Sequence, residues 1–457
     1  MYRYPLPGKV TKNSETLAVL KTETATRLLR AYRLFYTVSE MARLYDEHRD
    51  ICRYVHSTSR GHEAIQVAVG ERLRPIDFVY PYYRDEAMLL AMGFSPRELM
   101  LQLLAKREDP FSGGRTYYNH ASYRGPDRPQ IPHQSSATGM QAIPATGAAH
   151  GLAYQRRQGL RRDDAIVVCS LGDGALTEGE VSEAFQMAVL KKLPILYLVQ
   201  DNGWAISASA DETRAMDAPA YARGFPGLKV FTVEEGYNYL ACCEAAEKAL
   251  SYVRAGYGPA MLYARVPLIG HHTSGVRREW YRSPEDLAAA RALDPCLHLQ
   301  NYIQKHFPDI DLEALHAEIR TEIERTFREV VSAPEPDPAT LTHYVYKPTP
   351  ITEEQGERCP PNAAETLMVD AALHAVEEIL AAHPEALFYG QDVGRRLGGV
   401  FREAATLAQK FGDERVFNTP IQEAYIIGST AGMAAVGCRP IVEIQFADYI
   451  WPGLNQL

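Results

Sequence analysis

The spacing of hydrophobic positions separates helical segments of the chain from short strand-like runs. Over residues 23–45 apolar side chains recur every three or four positions, which predicts a long amphipathic helix. Shorter helices are expected at 61–73 and 96–106, and residues 1–22 are predicted to form a polar N-terminal arm. The segment 107–136 is rich in Gly, Pro, Ser, Tyr and His, which predicts a long irregular loop, and such loops are often functional.

Beyond this loop, short apolar runs alternate with helical segments, which is typical of a parallel sheet flanked by helices. The first alternation predicts helices at 143–155, 179–191 and 236–254 and strands at 165–171, 194–199, 228–233 and 260–266. After a charged helical stretch at 284–333, a second alternation predicts helices at 363–382, 402–411 and 422–436 and strands at 386–390, 415–418 and 440–446. The predicted fold class is therefore α/β, with two successive parallel sheets flanked by helices.

Prolines mark the boundary between the two alternating patterns. Three proline clusters fall between residues 334 and 361, and they predict an extended linker over 332–362. The predicted domains are therefore 23–331 and 363–457. The chain is expected to stop inside the second domain, because the last residues resemble the start of another helix.

The composition is that of an ordinary globular protein and excludes several other classes. Of 457 residues, 46% are hydrophobic and 23% are charged, which excludes a disordered, collagen-like or coiled-coil chain. The net charge of −9 opposes nonspecific binding to nucleic acid. No apolar run reaches the roughly 18 residues that span a bilayer, and no signal-peptide core is found near the start. The seven cysteines lack metal-binding spacing, so reduced thiols and a cytoplasmic location are expected.

The first candidate site is a glycine-flanked turn, Leu171-Gly-Asp-Gly174, that directly follows a predicted strand. Such a turn exposes backbone N–H groups, and the start of the next helix adds positive potential, so together they suit a diphosphate. Thr177 and Glu180 have the spacing of a capping box and are expected to fix the start of that helix. Asp173 is a hard oxygen ligand of the kind that Mg²⁺ requires. A tight βα turn without any ligand is the alternative explanation of the glycines alone.

A second polar motif lies one β-α-β unit further along the chain. Gln200-Asp-Asn-Gly-Trp-Ala-Ile-Ser207 follows the next predicted strand, and Asn202 comes 29 residues after Asp173. Parallel strands joined by one crossover end at the same edge of a sheet. Asp173, the amide oxygen of Asn202 and a nearby backbone carbonyl are therefore predicted to share one metal ion.

These two motifs resemble those of thiamine-diphosphate enzymes, in which a GDG turn is followed by an asparagine pair. The longer string GDGALTEGEVSEAFQMAVLKKLPILYLVQDNGWAIS resembles the α subunit of the first, decarboxylating component of 2-oxoacid dehydrogenase complexes. The resemblance implies that Mg²⁺ is held by Asp173, Asn202 and the carbonyl of Trp204. It also implies that the cofactor diphosphate contacts the turn at Gly172, Gly174 and Ala175.

Two residues depart from the usual motif of this family. Asp201 takes the place of the first asparagine of the pair, and Gln200 takes the place of an arginine that contacts the diphosphate in some members. Since the implied metal ligand is the second residue of the pair, metal binding is retained, but one positive contact is missing. A further match, Gly61-His-Glu-Ala64, corresponds to the family's Gly-x-Glu-Ala segment and is expected to be structural.

Three other segments of the first region match the same family. The string YPYYRD resembles its PxYRD motif, which implies that Tyr83 and Arg84 reach the diphosphate; arginine suits this role because it binds phosphate in a bidentate way. The segment that begins at Ser135 aligns with backbone contacts to the aminopyrimidine ring. Gly270-His-His-Thr-Ser274 resembles the family's mobile loop, which implies an active-site role for His272, although an ordinary loop histidine is the alternative. The acidic pair that usually follows this loop is absent.

The second region, residues 366–457, resembles the first half of the β subunit of the same enzyme. The matching strings include RVFNTPIQE, which ends at Glu423, and EIQFADYI, which contains Tyr449. The resemblance implies that Glu423 hydrogen-bonds the pyrimidine nitrogen and promotes the imino tautomer that removes the thiazolium C2 proton. Tyr449 would stack on the pyrimidine ring. A helix-start glutamate favoured by the helix dipole and a core aromatic are the alternatives.

The resemblance implies an enzyme for the oxidative decarboxylation of a 2-oxoacid, with transfer of the acyl group to the lipoyl domain of a dihydrolipoyl acyltransferase. The α-like and β-like regions are expected to be fused in one chain that forms a homodimer. The FNTP and EIQFADY strings favour a branched-chain 2-oxoacid, with pyruvate and acetoin open. Transketolase-like ketol transfer, and cofactor binding without turnover, are two competing hypotheses.

Overall fold

The computed structural model of the protein describes residues 14–132, 135–343, 345, 346, 357 and 360–457. The helices of the first region are α1 (Ser14–Glu47), α2 (Glu63–Gly70), α3 (Glu86–Ala91), α4 (Pro96–Leu103), α5 (Ala142–Arg157), α6 (Gly179–Lys191), α7 (Ala210–Thr213), α8 (Ala218–Ala222), α9 (Tyr239–Arg254), α10 (Pro284–Ala292), α11 (Pro295–His306) and α12 (Leu312–Val331). Its strands are β1 (Phe78–Tyr80), β2 (Val167–Gly172), β3 (Ile195–Asp201), β4 (Trp204–Ala205), β5 (Ala208–Ser209), β6 (Lys229–Val233) and β7 (Ala260–Arg265). Strand β1, the β4–β5 pair and helices α3, α7 and α8 were not predicted, because they are too short to show a period.

Five of these strands form a parallel sheet with the order β1-β2-β3-β7-β6. Strands β2 and β3 lie inside the sheet and are almost entirely buried, because helices cover both of its faces. The register pairs Gly172 at the end of β2 with Gln200 near the end of β3. Asp173 and Asn202 therefore leave the sheet side by side, as their spacing predicts.

Helix α1 is longer than its hydrophobic pattern predicts. It begins at Ser14, inside the segment predicted as a polar arm, and residues 1–13 lie outside the described residues. The residues before position 23 include Glu, Leu, Ala and Lys, which are good helix formers, so the helix extends beyond its apolar stripe. Buried Tyr32 packs α1 on α12, where its hydroxyl lies 2.6 Å from Nε2 of His316.

The second region is a smaller α/β unit with a parallel sheet of order β10-β8-β9. Its elements are α13 (Met368–Ala382), β8 (Ala386–Gly390), α14 (Leu407–Phe411), β9 (Val416–Asn418), α15 (Glu423–Ala435) and β10 (Arg439–Glu443), followed by a 3₁₀ helix at Ala447–Gln456. The helix predicted at 402–411 is wrong in its first half. Arg402 and Thr406 both adopt a φ of 67°, which a right-handed helix does not allow. The α/β fold class is confirmed in both regions.

The two regions pack directly on each other through α5 and α15. A Cβ atom added to Gly147 would lie 2.2 Å from the carbonyl oxygen of Ser429, and one added to Gly432 would lie 1.8 Å from that of Pro144. Glycine is therefore required at both positions for the helix backbones to approach so closely. Around them, one buried apolar cluster includes side chains from both regions, so the two sheets share a core.

The start of the predicted linker lies on the first region. The backbone N–H of Arg107 donates to the carbonyl of Pro334 at 3.0 Å, and Lys106 forms a 2.7 Å ion pair with Glu335. Much of the remaining linker lies outside the described residues. Within the part of the chain that the structure describes, no helix has the length and apolar character needed to cross a membrane.

Candidate active site

A cavity of about 440 Å³ opens where β2 and β3 end. Most of the predicted site residues line it, namely Tyr83, Gly172, Asp173, Gly174, Ala175, Asn202, Trp204 and His272. Ser135 lines a small recess beside it, which shares Gly172 and Ala175 with the cavity wall. Because side chains from distant segments converge here at the carboxyl ends of parallel strands, this cavity is the candidate active site.

The turn after β2 differs in detail from its sequence prediction. Asp173 opens a 3₁₀ helix, Asp173–Thr177, and α6 follows it without a side-chain cap on its first turn. The predicted capping box of Thr177 and Glu180 is therefore wrong. The Thr177 hydroxyl instead donates to the carbonyl of Gly174 at 2.9 Å, since the 3₁₀ turn brings that oxygen within reach.

Two buried carboxylates share one guanidinium at this end of the sheet. Nη2 of Arg214 lies 3.2 Å from Oδ2 of Asp173, and Nη1 lies 3.0 Å from Oδ2 of Asp201. Burial, followed by the charge of Asp201, raises the pKa of Asp173 to about 7. Burial acts in the same direction on Asp201, but hydrogen bonds from Arg214 and Tyr263 lower the pKa of Asp201 below its ordinary value. One positive charge does not neutralise two carboxylates, so the site favours a further cation.

Asn202 belongs to a buried chain of hydrogen bonds. Its side-chain amide donates to Nε2 of His62 at 3.2 Å, and its Oδ1 accepts from the backbone N–H of Trp204 at 3.0 Å. Nδ1 of His62 lies 2.9 Å from Oε1 of Gln200, whose own amide donates to Asp85 at 2.7 Å. His62 and Gln200 are fully buried, and burial above all lowers the pKa of His62 to about 3. Gln200, which stands where some family members have an arginine, thus makes its hydrogen bonds to buried side chains and does not line the cavity.

Arg84 lies behind the cavity wall. It is fully buried, and it donates to the carbonyl of His272 at 2.9 Å and to that of Thr58 at 3.3 Å, while its Nε has no partner. Its guanidinium carbon also lies 5.4 Å from the centre of the Tyr83 ring, which does face the cavity. Arg84 therefore fixes the loop that carries His272, and its predicted contact with a diphosphate stays a prediction.

His272 enters the cavity from the 270–274 loop. Its side chain is buried, and its Nδ1 has no hydrogen-bond partner. Burial first, and then the charges of Arg84 and His62, lower the pKa of His272 to about 2. A neutral imidazole with one unused nitrogen is suited to exchange a hydrogen bond with a bound molecule.

Several cavity residues were missed from the sequence. They are His56, Tyr117, Tyr118 and His120. Arg214, which pairs with the two carboxylates but does not line the cavity, was missed as well. Residues 107–136 are rich in Tyr and His, which indicated that this loop is functional. Its side chains could not be assigned to a site, because an irregular loop has no hydrophobic periodicity that shows which way they point. Arg214 follows no motif, and only the fold brings it to Asp173.

The two predicted residues of the second region do not line this cavity in the described chain. Glu423 starts α15 and accepts from Nε2 of Gln391 at 2.9 Å. Tyr449 is 43% exposed, and its ring packs on Phe446 with 5.1 Å between centroids. Nearby, the carboxylate of Glu183 accepts from the backbone N–H of Tyr425 at 2.8 Å, which joins α6 to α15. Their cofactor roles stay predictions.

The donors at the strand ends fit a hard divalent cation next to an anion. Asp173 offers a buried carboxylate, Asn202 an amide oxygen and Trp204 a backbone carbonyl, which is the oxygen chemistry that Mg²⁺ prefers. Among the described residues, no three His, Cys, Asp or Glu side chains are grouped as metal ligands, so a site here has to include amide or carbonyl oxygens. The space beside Gly172 and Gly174 is open. A Cβ atom added to either residue would have no neighbour closer than 3.5 Å, so the backbone of the turn is accessible to a diphosphate.

Two family models match successive parts of the chain. One, described as "Dehydrogenase E1 component", matches residues 33–339, and the other, described as "Transketolase, pyrimidine binding domain", matches residues 365–456. Both families depend on thiamine diphosphate. The fold and these matches thus define an α/β enzyme with a cavity at the ends of its central strands. The chain belongs to the family of the dehydrogenase E1 component, as predicted, and hence to the decarboxylating 2-oxoacid oxidoreductases.

Curated relatives include enzymes for different 2-oxoacids. The 2-oxoisovalerate dehydrogenase subunit alpha of Bacillus subtilis (strain 168) is 30% identical over 293 residues, which cover 63% of this chain and 85% of the relative. The 3-methyl-2-oxobutanoate dehydrogenase subunit alpha of Mycobacterium tuberculosis (strain ATCC 25618 / H37Rv) is 30% identical over 253 residues, 55% of this chain and 63% of the relative. The pyruvate dehydrogenase E1 component subunit alpha of Porphyra purpurea is 30% identical over 297 residues, 63% of this chain and 82% of the relative.

Proposed function

We propose that this chain catalyses the oxidative decarboxylation of a 2-oxoacid with thiamine diphosphate and Mg²⁺. The acyl group then passes to the lipoyl domain of a dihydrolipoyl acyltransferase. The observation that carries the proposal is the cavity in which the GDG turn, the asparagine motif and the 270–274 loop meet. Membership of a family that forms the first component of 2-oxoacid dehydrogenase complexes supports the choice of acceptor.

The proposed cofactor site follows the chemistry of the donors. We assign Mg²⁺ to Asp173, Asn202 and the carbonyl of Trp204. The diphosphate and its attached ring are assigned to Gly172, Gly174, Ala175, Tyr83, Arg84 and Ser135. Arg84 would act on the diphosphate side mainly by holding the loop at the carbonyl of His272.

Thiamine diphosphate, when bound, supplies the nucleophilic carbon and the electron sink for loss of CO₂. The protein binds and orients the reactants and keeps water away from them, since most of the lining side chains are buried or half-buried. His272 faces the cavity as a neutral imidazole, and its unpartnered Nδ1 would accept a hydrogen bond from an O–H or N–H group of a bound reactant. Glu423 would hold a proton at the pyrimidine nitrogen, which a carboxylic acid can share and an amide cannot.

We further propose a homodimer in which Glu423 and Tyr449 complete the site of a second copy. In the described chain neither residue lines its own cavity, while Tyr449 and Trp451 are 43% and 67% exposed. Exposed apolar groups of this kind mark association surfaces. The proposed domains, 23–331 and 363–457 joined by the linker 332–362, would place an α-like and a β-like half in each chain. Sedimentation as a monomer at every concentration would contradict this arrangement.

A branched-chain 2-oxoacid is the proposed substrate. It is supported by the FNTP and EIQFADY strings and by the names of two of the relatives, whereas a third relative is named for pyruvate. Val55 and Ile206 add aliphatic surface to the cavity wall.

We propose a cytoplasmic location, because the cysteines among the described residues are unpaired.

Transketolase-like ketol transfer is the second candidate, and it is favoured by His56 and His120 in the cavity wall, since sugar phosphates need such polar contacts. One assay separates the two. The purified protein, with thiamine diphosphate and Mg²⁺, is given a panel of 2-oxoacids with an artificial electron acceptor, and separately a ketose phosphate with an aldose acceptor. Release of CO₂, fastest from branched-chain substrates, is expected. Ketol transfer without CO₂ release, or cofactor binding without any turnover, would overturn the proposal.

A further inference from the structure

We propose that His62 is a positioning residue that fixes the side-chain amide of Asn202 so that its oxygen is presented for metal binding. This inference rests on the metal site of the proposed function. His62 is the variable residue of the Gly-x-Glu-Ala segment, which was expected from the sequence to be only structural. The role follows from which atom of each side chain faces which partner.

The tautomer of His62 follows from its two neighbours. Nε2 lies 3.2 Å from the amide nitrogen of Asn202, which can only donate, so Nε2 accepts. Nδ1 lies 2.9 Å from Oε1 of Gln200, which can only accept, so Nδ1 carries the proton. Both ring nitrogens are therefore used, and the imidazole links the interior of the fold to Asn202.

The amide of Asn202 has one productive orientation. Its nitrogen and oxygen have nearly the same size, so packing alone does not distinguish an orientation with the oxygen towards the metal from its reverse. The reverse would turn an NH₂ group towards a cation, and that group is not a ligand. The lone pair of His62 Nε2 rejects the amide oxygen and accepts the amide N–H, and the N–H of Trp204 holds Oδ1 from the other side at 3.0 Å.

Removing the imidazole should act on Asn202 and leave Gln200 in place. The oxygen of Gln200 also accepts from Gln66 at 2.9 Å, and its amide donates to Asp85 at 2.7 Å and to Ser170 at 2.9 Å. The amide N–H₂ of Asn202, in contrast, has His62 as its one side-chain partner among the described residues. The effect of a His62 variant should therefore appear as weaker metal binding.

The test measures the Mg²⁺ concentration that gives half-maximal binding of thiamine diphosphate by calorimetry, in the full chain. Loss of a residue that orients a metal ligand typically costs about 10- to 100-fold in metal affinity, so His62→Leu should raise this concentration by that factor. His62→Gln should restore it, because a glutamine can accept from Asn202 and donate to Gln200 as the imidazole does. His316→Leu, at another buried histidine on α12, should bind Mg²⁺ as the wild type does.

A double-mutant cycle separates orientation from a general structural role. In the Asn202→Asp background both side-chain oxygens are equivalent, so no orientation has to be chosen. Adding His62→Leu to that background should then not raise the Mg²⁺ requirement, because the lone pair of Nε2 has no amide N–H to accept there and faces only a carboxylate oxygen. Equal losses in both backgrounds would overturn the proposal, and so would a folded His62→Leu protein with the wild-type Mg²⁺ requirement. Those outcomes leave the proposed function intact, whereas a wild type that binds thiamine diphosphate without Mg²⁺ would overturn both.

Discussion

Replacing Gly432 by alanine tests whether the two regions of the chain are held together by direct contact of α5 and α15. A Cβ atom at this position would lie 1.8 Å from the carbonyl oxygen of Pro144 and 2.5 Å from the backbone nitrogen of Ala148. Real Cβ atoms do not approach a neighbour within 3.0 Å, so the helices would have to separate by roughly 1.2 Å. The obstacle is backbone, which cannot turn aside as a flexible side chain could.

The size of the effect follows from two opposing contributions. Alanine in place of glycine inside a helix stabilises it by about 1 kcal/mol. Forcing an extra methyl group into a packed contact costs about 1–3 kcal/mol, with the upper end expected against rigid backbone. The expected net destabilisation is about 2 kcal/mol. With an unfolding entropy of about 2.1 cal/mol/K per residue over 457 residues, that lowers the melting temperature by about 2 °C.

Differential scanning calorimetry of the full chain measures this shift. Gly179→Ala is the matched control, because Gly179 starts α6 and a Cβ there would meet nothing within 4 Å. This control should melt at or slightly above the wild-type temperature. A Gly432→Ala protein that melts as high as the wild type would refute the close packing of the two helices.

The remaining predictions concern the site and its surroundings. Glu423→Gln should keep cofactor binding, since the metal and diphosphate contacts lie in the first region, but should slow C2 proton exchange by about 10²- to 10⁴-fold when followed by NMR; exchange at the wild-type rate would return Glu423 to an ordinary helix-start residue. Arg84→Ala should weaken cofactor affinity in calorimetry and also lower turnover at saturating cofactor, because Arg84 holds the loop that carries His272; unchanged affinity and turnover would contradict this. Burial raises the pKa of Glu86 from 4.5 to about 7, so the stability contributed by its protonated form is complete below pH 4.5 and is lost as the pH rises through 7. The amide of Glu86→Gln can still accept from Tyr118, so this variant should melt at a higher temperature than the wild type at pH 8 but not at pH 4.5. The same difference in melting temperature at both pH values would contradict the raised pKa of Glu86.

The parts of the site that were predictable from sequence are those fixed by the sheet. Asp173 and Asn202 follow paired strand ends, and one crossover between parallel strands determines that they meet. Tyr83 and His272 were added by motif resemblance, and the structure brings both to the same cavity. Spacing and motif sufficed for these residues because each lies next to a regular element or in a recognisable string.

The residues that could not be predicted depend on irregular backbone. Thr177 has the spacing of a capping residue, but the 3₁₀ turn after β2 redirects its hydroxyl to Gly174. His120 comes from a long loop whose side chains follow no period, and Arg214 reaches Asp173 only through the short elements after β3. Glu423 illustrates a different limit: it starts a helix, as its position after a strand predicts, but neither spacing nor motif shows which cavity its carboxylate faces, and it does not line the cavity of the described chain.

The central claim, a metal-dependent thiamine-diphosphate site at Asp173, is tested most directly by calorimetric titration of the cofactor with and without Mg²⁺. The wild type should bind thiamine diphosphate only when Mg²⁺ is present, and Asp173→Ala should lose this binding while keeping the fold, as judged by circular dichroism. A wild type that binds the cofactor equally well without a metal, or an Asp173→Ala variant with unchanged affinity, would contradict the account.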